Sequence, residues 1–318
     1  MKSMSQLGTK KAEVDLPVRT KYEESRRQKT GVFFKKKVGW LFIIVSILAI
    51  TIFNFYPMVQ AFLLSFQSGM GANLEYVGLD NWRRLFGDPT FIAALTNTTI
   101  YLLIQVPLMI VLALFFSVLL NDPKLKFKSF FRIAIFLPCV TSLVAYSVVF
   151  KYLFGIDGII NQFLLNFGFI SETVNFLADP FWAKVVIILA ITWRWTGYNM
   201  IFYLAALQNV DKSIYEAAKI DGASSFQQFF QITVPMLKPI ILFTSITSTI
   251  GTLQIFDEIV NITNGGPGNA TISISQYIYN LSFEYTPDFG YASTVSYVIV
   301  ILVVILSIIQ FRVAGEKK

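Results

Sequence analysis

Long apolar runs separated by polar stretches dominate the chain. Six such runs cover about 38–64, 96–120, 130–153, 181–205, 238–260 and 291–311. A bilayer core about 30 Å thick needs roughly 20 residues of helix, so each run predicts one membrane-spanning helix. Pro57 falls inside the first run, and bilayer helices tolerate proline. Residues 66–94 are polar, with Gly69, Gly71, Asn73, Gly78 and Asp80, and "NWRRLFGDPTF" predicts short interfacial helices. Residues 154–180 are mixed, and 209–238 form a long amphipathic stretch. A Gly/Asn/Pro loop, "TNGGPGNAT", precedes the last run. The expected organisation is a polar tail over 1–37 and one all-α membrane domain over 38–318.

Composition agrees with this pattern. Of 318 residues, 55% are hydrophobic and 14% charged, against about 25% charged in soluble domains. Too little polar surface is available to coat a soluble fold. The net charge of +7 matters mainly through its location. The tail, the 121–132 loop, the 208–238 stretch and the C-terminus hold 21 of the 26 Lys and Arg residues. Six crossings put these four segments on one side, and the positive-inside rule makes that side cytoplasmic, both termini included. Arg83, Arg84, Lys151 and Lys184 fall opposite, and Arg194 lies inside the fourth run. The basic tail reads as a topology signal near anionic lipid. Aromatic residues do not interleave with it as stacking platforms, which argues against nucleic acid. The first run is too long for a signal peptide and has no small-residue cleavage pattern after it, so it is expected to be retained. A lone cysteine, Cys139, excludes an internal disulfide. The absence of histidine excludes His-based metal sites and triads. No metal site and no catalytic group is expected.

The most informative stretch is "SIYEAAKIDGASSFQQFFQITVPMLKP", residues 213–239. Ser213 and Glu216 have capping-box spacing and predict a helix starting at Ser213. Gly222 suits its end. Ser224 with Gln227 can cap a second helix, whose apolar face carries Phe226, Phe229, Phe230 and Val234. From these residues alone, the pair is either an interfacial hairpin resting on its own bundle or a docking element for a cytoplasmic partner.

"EAAKIDGASSFQQFFQITVP" resembles the EAA signature of permease subunits of bacterial ABC importers. Glu216, Ala217, Ala218, Gly222, Ile232 and Pro235 are in register, and Val234 stands where the family usually has Leu. "YNMIFYLAALQNVDKSIYEAAKIDGA", "TNGGPGNAT" and "DFGYASTVSYVIVILVVILSIIQFRV" extend the resemblance to the carbohydrate-uptake subfamily, relatives of the maltose and glycerol-3-phosphate permeases. It covers the chain from about residue 38 onward. The resemblance implies a six-helix type I (MetI-like) permease fold with a cytoplasmic coupling helix, in a bacterial cell membrane. It implies import of a sugar delivered by an extracellular solute-binding protein, with glycerol phosphate, a polyol or an acidic sugar as alternatives. The implied partners are a second homologous permease subunit and two cytoplasmic ATPase subunits. ATP and Mg are used by those ATPases and no cofactor is bound by this chain, which lacks a Walker A motif. Glu216, Ala217, Ala218, Asp221 and Gly222 would form the ATPase contact. An ion-coupled secondary transporter is the competing class, but no inverted repeat is visible.

Polar groups inside spans are functional candidates. Arg194, unpaired at mid-bilayer, would cost about 2.5 kcal/mol or more. It can line a cavity, snorkel outward, or pair with Asp257 or Glu258. Trp193, Trp195 and Tyr198 can stack on sugar faces or simply pack. Carrying over the cavity positions of maltose-type permeases implies a solute path at Arg194, Trp195, Tyr198, Ser248, Thr252 and Ile255.

Overall fold

The computed structural model describes Trp40, residues 43–70 and residues 73–314. The expected 1–37 tail lies outside the described residues. The chain divides into two compact units, Met1–Gln60 and Ala61–Lys318. Helix α1, Ile43–Leu64, contains a π turn at Thr51–Phe55. This turn sits just ahead of Pro57, whose missing N–H and bulky ring disrupt the hydrogen bond to the preceding turn.

A hairpin that was not expected opens the polar stretch, ahead of the short helices expected at "NWRRLFGDPTF", which form over Asp80–Arg84 and Leu85–Gly87. Strands β1 (Gln67–Met70) and β2 (Asn73–Tyr76) pair antiparallel, with Gln67 opposite Tyr76. Gly69 adopts φ +133, and an added Cβ would collide with the Asn73 carbonyl. From α2 (Asp80–Arg84), the Asn81 Nδ2 group donates to the Ser65 carbonyl at 3.1 Å and to that of Gln67 at 2.8 Å, clamping the hairpin base.

Helix α3 runs Pro89–Asn121 and α7 runs Pro180–Gln208. Both start earlier than their apolar runs, and for the same reason. Asp88 and Asp179 each accept two backbone N–H groups of the first turn, and a proline occupies the next position. The third expected span is not one helix. Helices α4 (Lys128–Val140) and α5 (Leu143–Leu153) meet at 101°, with Pro138 near the end of α4 and Thr141 and Ser142 extended. Helix α6 is Ile159–Asn166 and α8 is Lys212–Ile220. Helix α9, Ser225–Leu253, makes a π turn at Phe229–Thr233 ahead of Pro235. It stops at Leu253, short of the expected 260, and a kink at Gln254–Phe256 leads to α10 (Asp257–Ile262). Helices α11 (Ile274–Tyr279) and α12 (Phe289–Ala314) complete the chain. Among the described residues, five single helices and the bent α4–α5 pair are long and apolar enough to cross a bilayer.

Helix α3 is central. It packs along α7 and also meets α9, which lies against α12. Ala113 and Leu114 of α3 bury against Met200, Tyr203 and Leu207 of α7 and Leu237 of α9. Helix α4 lies so close to α7 that a Cβ on Gly197 would overlap the Ile135 carbonyl. Glycine is required there by backbone approach. Near the other end, Phe91 and Ala94 of α3 pack with Ile272, Ile274, Tyr277, Leu281 and Tyr291.

Candidate functional site

The break after α9 and the packing of α7 against α3 leave a cavity of about 370 Å³ between α3, α5, α7 and α9. Trp195 and Tyr198 line it from α7, and Ser248 and Thr252 from α9, with Ile255 and Phe256 at the kink. Five of the six expected path residues therefore share one cavity. Trp195 and Tyr198 meet edge to face at 5.8 Å, each about one-third exposed. This arrangement presents one ring face beside a second ring edge.

Arg194 is the exception. Its side chain does not line the cavity and is 6% exposed. The guanidinium donates to the carbonyls of Thr141 at 3.0 Å and of Pro138 and Cys139 at 3.4 Å. These are the carbonyls freed where α4 ends, so Arg194 caps the broken span and meets the negative end of the α4 dipole. Its Cζ also stands 4.7 Å from the Tyr146 ring centroid. A cation inside a span implied an anionic or hydroxyl partner, but the partners are backbone carbonyls that exist only because the span is broken.

Several lining residues escaped the sequence reading. Gln105 of α3 accepts from the Thr252 hydroxyl at 2.9 Å, and Asn199 donates to Met109 Sδ at 3.2 Å and to the Trp195 carbonyl at 3.0 Å. Asp257 and Glu258 add carboxylates at the kink. Gln105 is the lone amide between Ile100 and Leu120, a signal that was available. Gly251 also lines the cavity, and a Cβ there would meet nothing within 4 Å. Unlike Gly197, it is required by neither packing nor backbone angle, and it leaves the cavity wall open.

The 209–233 segment behaves differently. Helix α8 starts at Lys212 rather than Ser213, and its cap is Asp211, whose Oδ1 accepts from the Ser213 N–H at 3.0 Å. The expected Ser213–Glu216 capping box does not form, because Asp211 takes that N–H first. The Ser224–Gln227 box does form, with both reciprocal bonds present. Gly222 adopts φ +80 and closes α8 by bonds from Ala223 to Ala218 (2.9 Å) and from Gly222 to Lys219 (3.2 Å). Glu216, Ala217, Asp221 and Gly222 are exposed and Ala218 is half-buried. Ile220 and Phe226 are 86% and 72% exposed. Tyr215 ties the segment back to α9 through Thr233 at 3.0 Å.

Residues 89–315 match the family described as binding-protein-dependent transport system inner membrane component. The chain belongs to that family. This permease subunit is 57% identical to the lactose transport system permease protein LacF of Rhizobium radiobacter, over 88% of this chain and 95% of that one. It is 36% identical to the arabinooligosaccharides transport system permease protein AraP of Halalkalibacterium halodurans, over 89% and 90%. Its fold matches a crystal structure of a bacterial ABC transporter involved in alginate import. The TM-score is 0.77 at 22% identity, covering 90% of this chain and 98% of that one. The chain is thus a multi-pass ABC importer permease and not an enzyme.

Proposed function

We propose that this permease forms half of the membrane path for a neutral oligosaccharide, with lactose or a close galactoside as the leading substrate. The observation that carries the reading is the chemistry of the cavity. Aromatic rings, hydroxyls and amides line it, with two carboxylates and no Lys or Arg. Rings suit the C–H faces of a sugar, and amides and hydroxyls suit its hydroxyl groups. Arg194 does not line the cavity, so an anionic solute there would meet the carboxylates of Asp257 and Glu258 and no lining cation. The likeness to the lactose and arabinooligosaccharide permeases supports the same class. In this reading, both termini and the 209–233 segment face the cytoplasm. Glu216, Ala217, Ala218, Asp221 and Gly222 engage one ATPase of a pair that uses ATP and Mg. A second, homologous permease chain completes the path, and an extracellular binding protein delivers the sugar.

The test is uptake by proteoliposomes holding the full transporter and its binding protein. Labelled lactose should accumulate with ATP, while glycerol 3-phosphate and galacturonate should not. Preferential uptake of either anion would overturn the neutral-sugar reading.

A further inference from the structure

A second cavity, of about 720 Å³, lies beside the 209–233 segment and shares no lining residue with the first. Its walls come from the 121–132 loop, the ends of α3 and α7, helix α8 and the first turns of α9. Lys128, Arg132 and Lys212 line it, against one carboxylate, Asp122, which already accepts from the Lys124 N–H at 2.8 Å. Arg132 is only partly satisfied. Its Nη2 donates to the Leu120 carbonyl at 3.1 Å, but its buried Nε has no partner. The Leu120 bond uses one of the five guanidinium N–H groups, and the Nη groups of an arginine can fork a phosphate or carboxylate. Lys128, Lys212 and Ser225 are also the first residues of α4, α8 and α9. Three positive helix ends thus meet the cavity, against the two negative ends at Asn121 and Gln208. An open cleft of this size with surplus positive charge suits an anion.

We propose that this cavity binds a phosphate ester, supplied by a phospholipid headgroup or by a soluble phosphate compound. Basic pockets between span ends at the cytoplasmic surface suit such headgroups, so the lipid source rests on the cytoplasmic placement argued above. The ligand would join the 121–132 loop to α8 and the start of α9, and so brace the segment proposed to engage the ATPase.

The test uses the complete transporter in nanodiscs. In the first arm, discs of phosphatidylcholine containing dioleoyl phosphatidylglycerol are examined by native mass spectrometry for retained anionic lipid. In the second, phosphatidylcholine discs are titrated with inorganic phosphate and then glucose 6-phosphate, and thermal stability is read. Wild type should retain phosphatidylglycerol or be stabilised by a phosphate compound, and the arm that responds identifies the source. Lys128→Gln and Lys212→Gln should each weaken that response at least tenfold, while Lys184→Gln, at the start of α7, should not. Arg132→Gln also loses the Leu120 bond, so the two lysine variants carry the test if it fails to fold. Indifference of the wild type in both arms, or a response untouched by both lysine variants, would overturn the site. Both readouts are binding measurements, so they stand whether or not the segment couples ATP hydrolysis.

Discussion

Two segments of the same chain meet opposite physical demands. The 254–291 segment is irregular but closed on itself. Asn97 donates to the carbonyls of Asn269 and Ile272 at 3.1 Å each, Tyr101 to that of Thr271 at 3.0 Å, and Ser273 to that of Ile255 at 2.7 Å. Asp88 caps α3 with one oxygen and accepts the Tyr277 and Tyr291 hydroxyls with the other. Nearly every polar group of an irregular buried segment needs a partner, and α3 with its cap Asp88 adds six bonds to those formed within the segment. The 209–233 segment is regular but open. Its helices are well capped, yet Ile220, Phe226 and Phe230 are exposed. An element satisfied locally but bare on its apolar side is suited to docking, whereas a segment bonded both to itself and to a neighbouring span is suited to holding spans in place.

The largest effect should come from the closed segment. Asp88→Ala removes a helix cap and strands two hydroxyls, for a loss of about 3 kcal/mol. It should be read as a lower melting temperature of the purified transporter. Unchanged melting would break the comparison. Burial alone would raise the Asp88 carboxyl. The Tyr277 and Tyr291 hydroxyls and the N–H groups of Phe91 and Thr90 outweigh it and hold the group below its usual range. A depressed carboxyl stabilises above its unfolded value near 4 and ceases to as pH falls through the folded value. The melting difference between wild type and Asp88→Asn should therefore persist from neutral pH to about pH 5 and shrink below about pH 4.

Arg194→Ala should cost about 2 kcal/mol by leaving the α4 carbonyls bare, and uptake should fall because less complex assembles. A variant that assembles normally but transports poorly would restore Arg194 to the solute path. Gly222→Val sharpens the comparison from the other side. A β-branched residue in the left-handed region costs about 1–2 kcal/mol, so melting should move little. Sugar-stimulated ATP hydrolysis should drop about tenfold or more while binding-protein attachment persists. Normal hydrolysis and uptake would show that the segment is not the coupling element. Gly251→Leu should have the smallest effect on stability, near zero, while reducing uptake of larger saccharides more than of smaller ones. An equal loss for all sizes would contradict the open-wall reading.

Much of the fold was legible from hydropathy alone, because a span must be apolar for its full length whatever it packs against. The bend at Thr141 was not, since a proline in a span, like Pro57 or Pro138, is compatible with a straight helix or a broken one. The carbonyl partners of Arg194 depended on that bend and were hidden with it. The 67–76 hairpin carries no alternating pattern, and its pairing depends on Asn81 and Gly69. The cap at Asp211 was available but competed with a better-known spacing that starts two residues later. On the cavity, the aromatic and hydroxyl residues of α7 and α9 were readable. Gln105, Asn199 and Gly251 come together only once α3 lies against both helices.

The central claim, that a neutral sugar passes between α7 and α9, has one direct test. In a Cys139→Ser background, Ser248→Cys places a single thiol in the cavity of the reconstituted transporter. A small methanethiosulfonate reagent should modify it under turnover, block uptake, and be slowed several-fold by lactose with its binding protein. A thiol whose modification leaves uptake intact, or whose rate is the same with and without the sugar, would contradict the account.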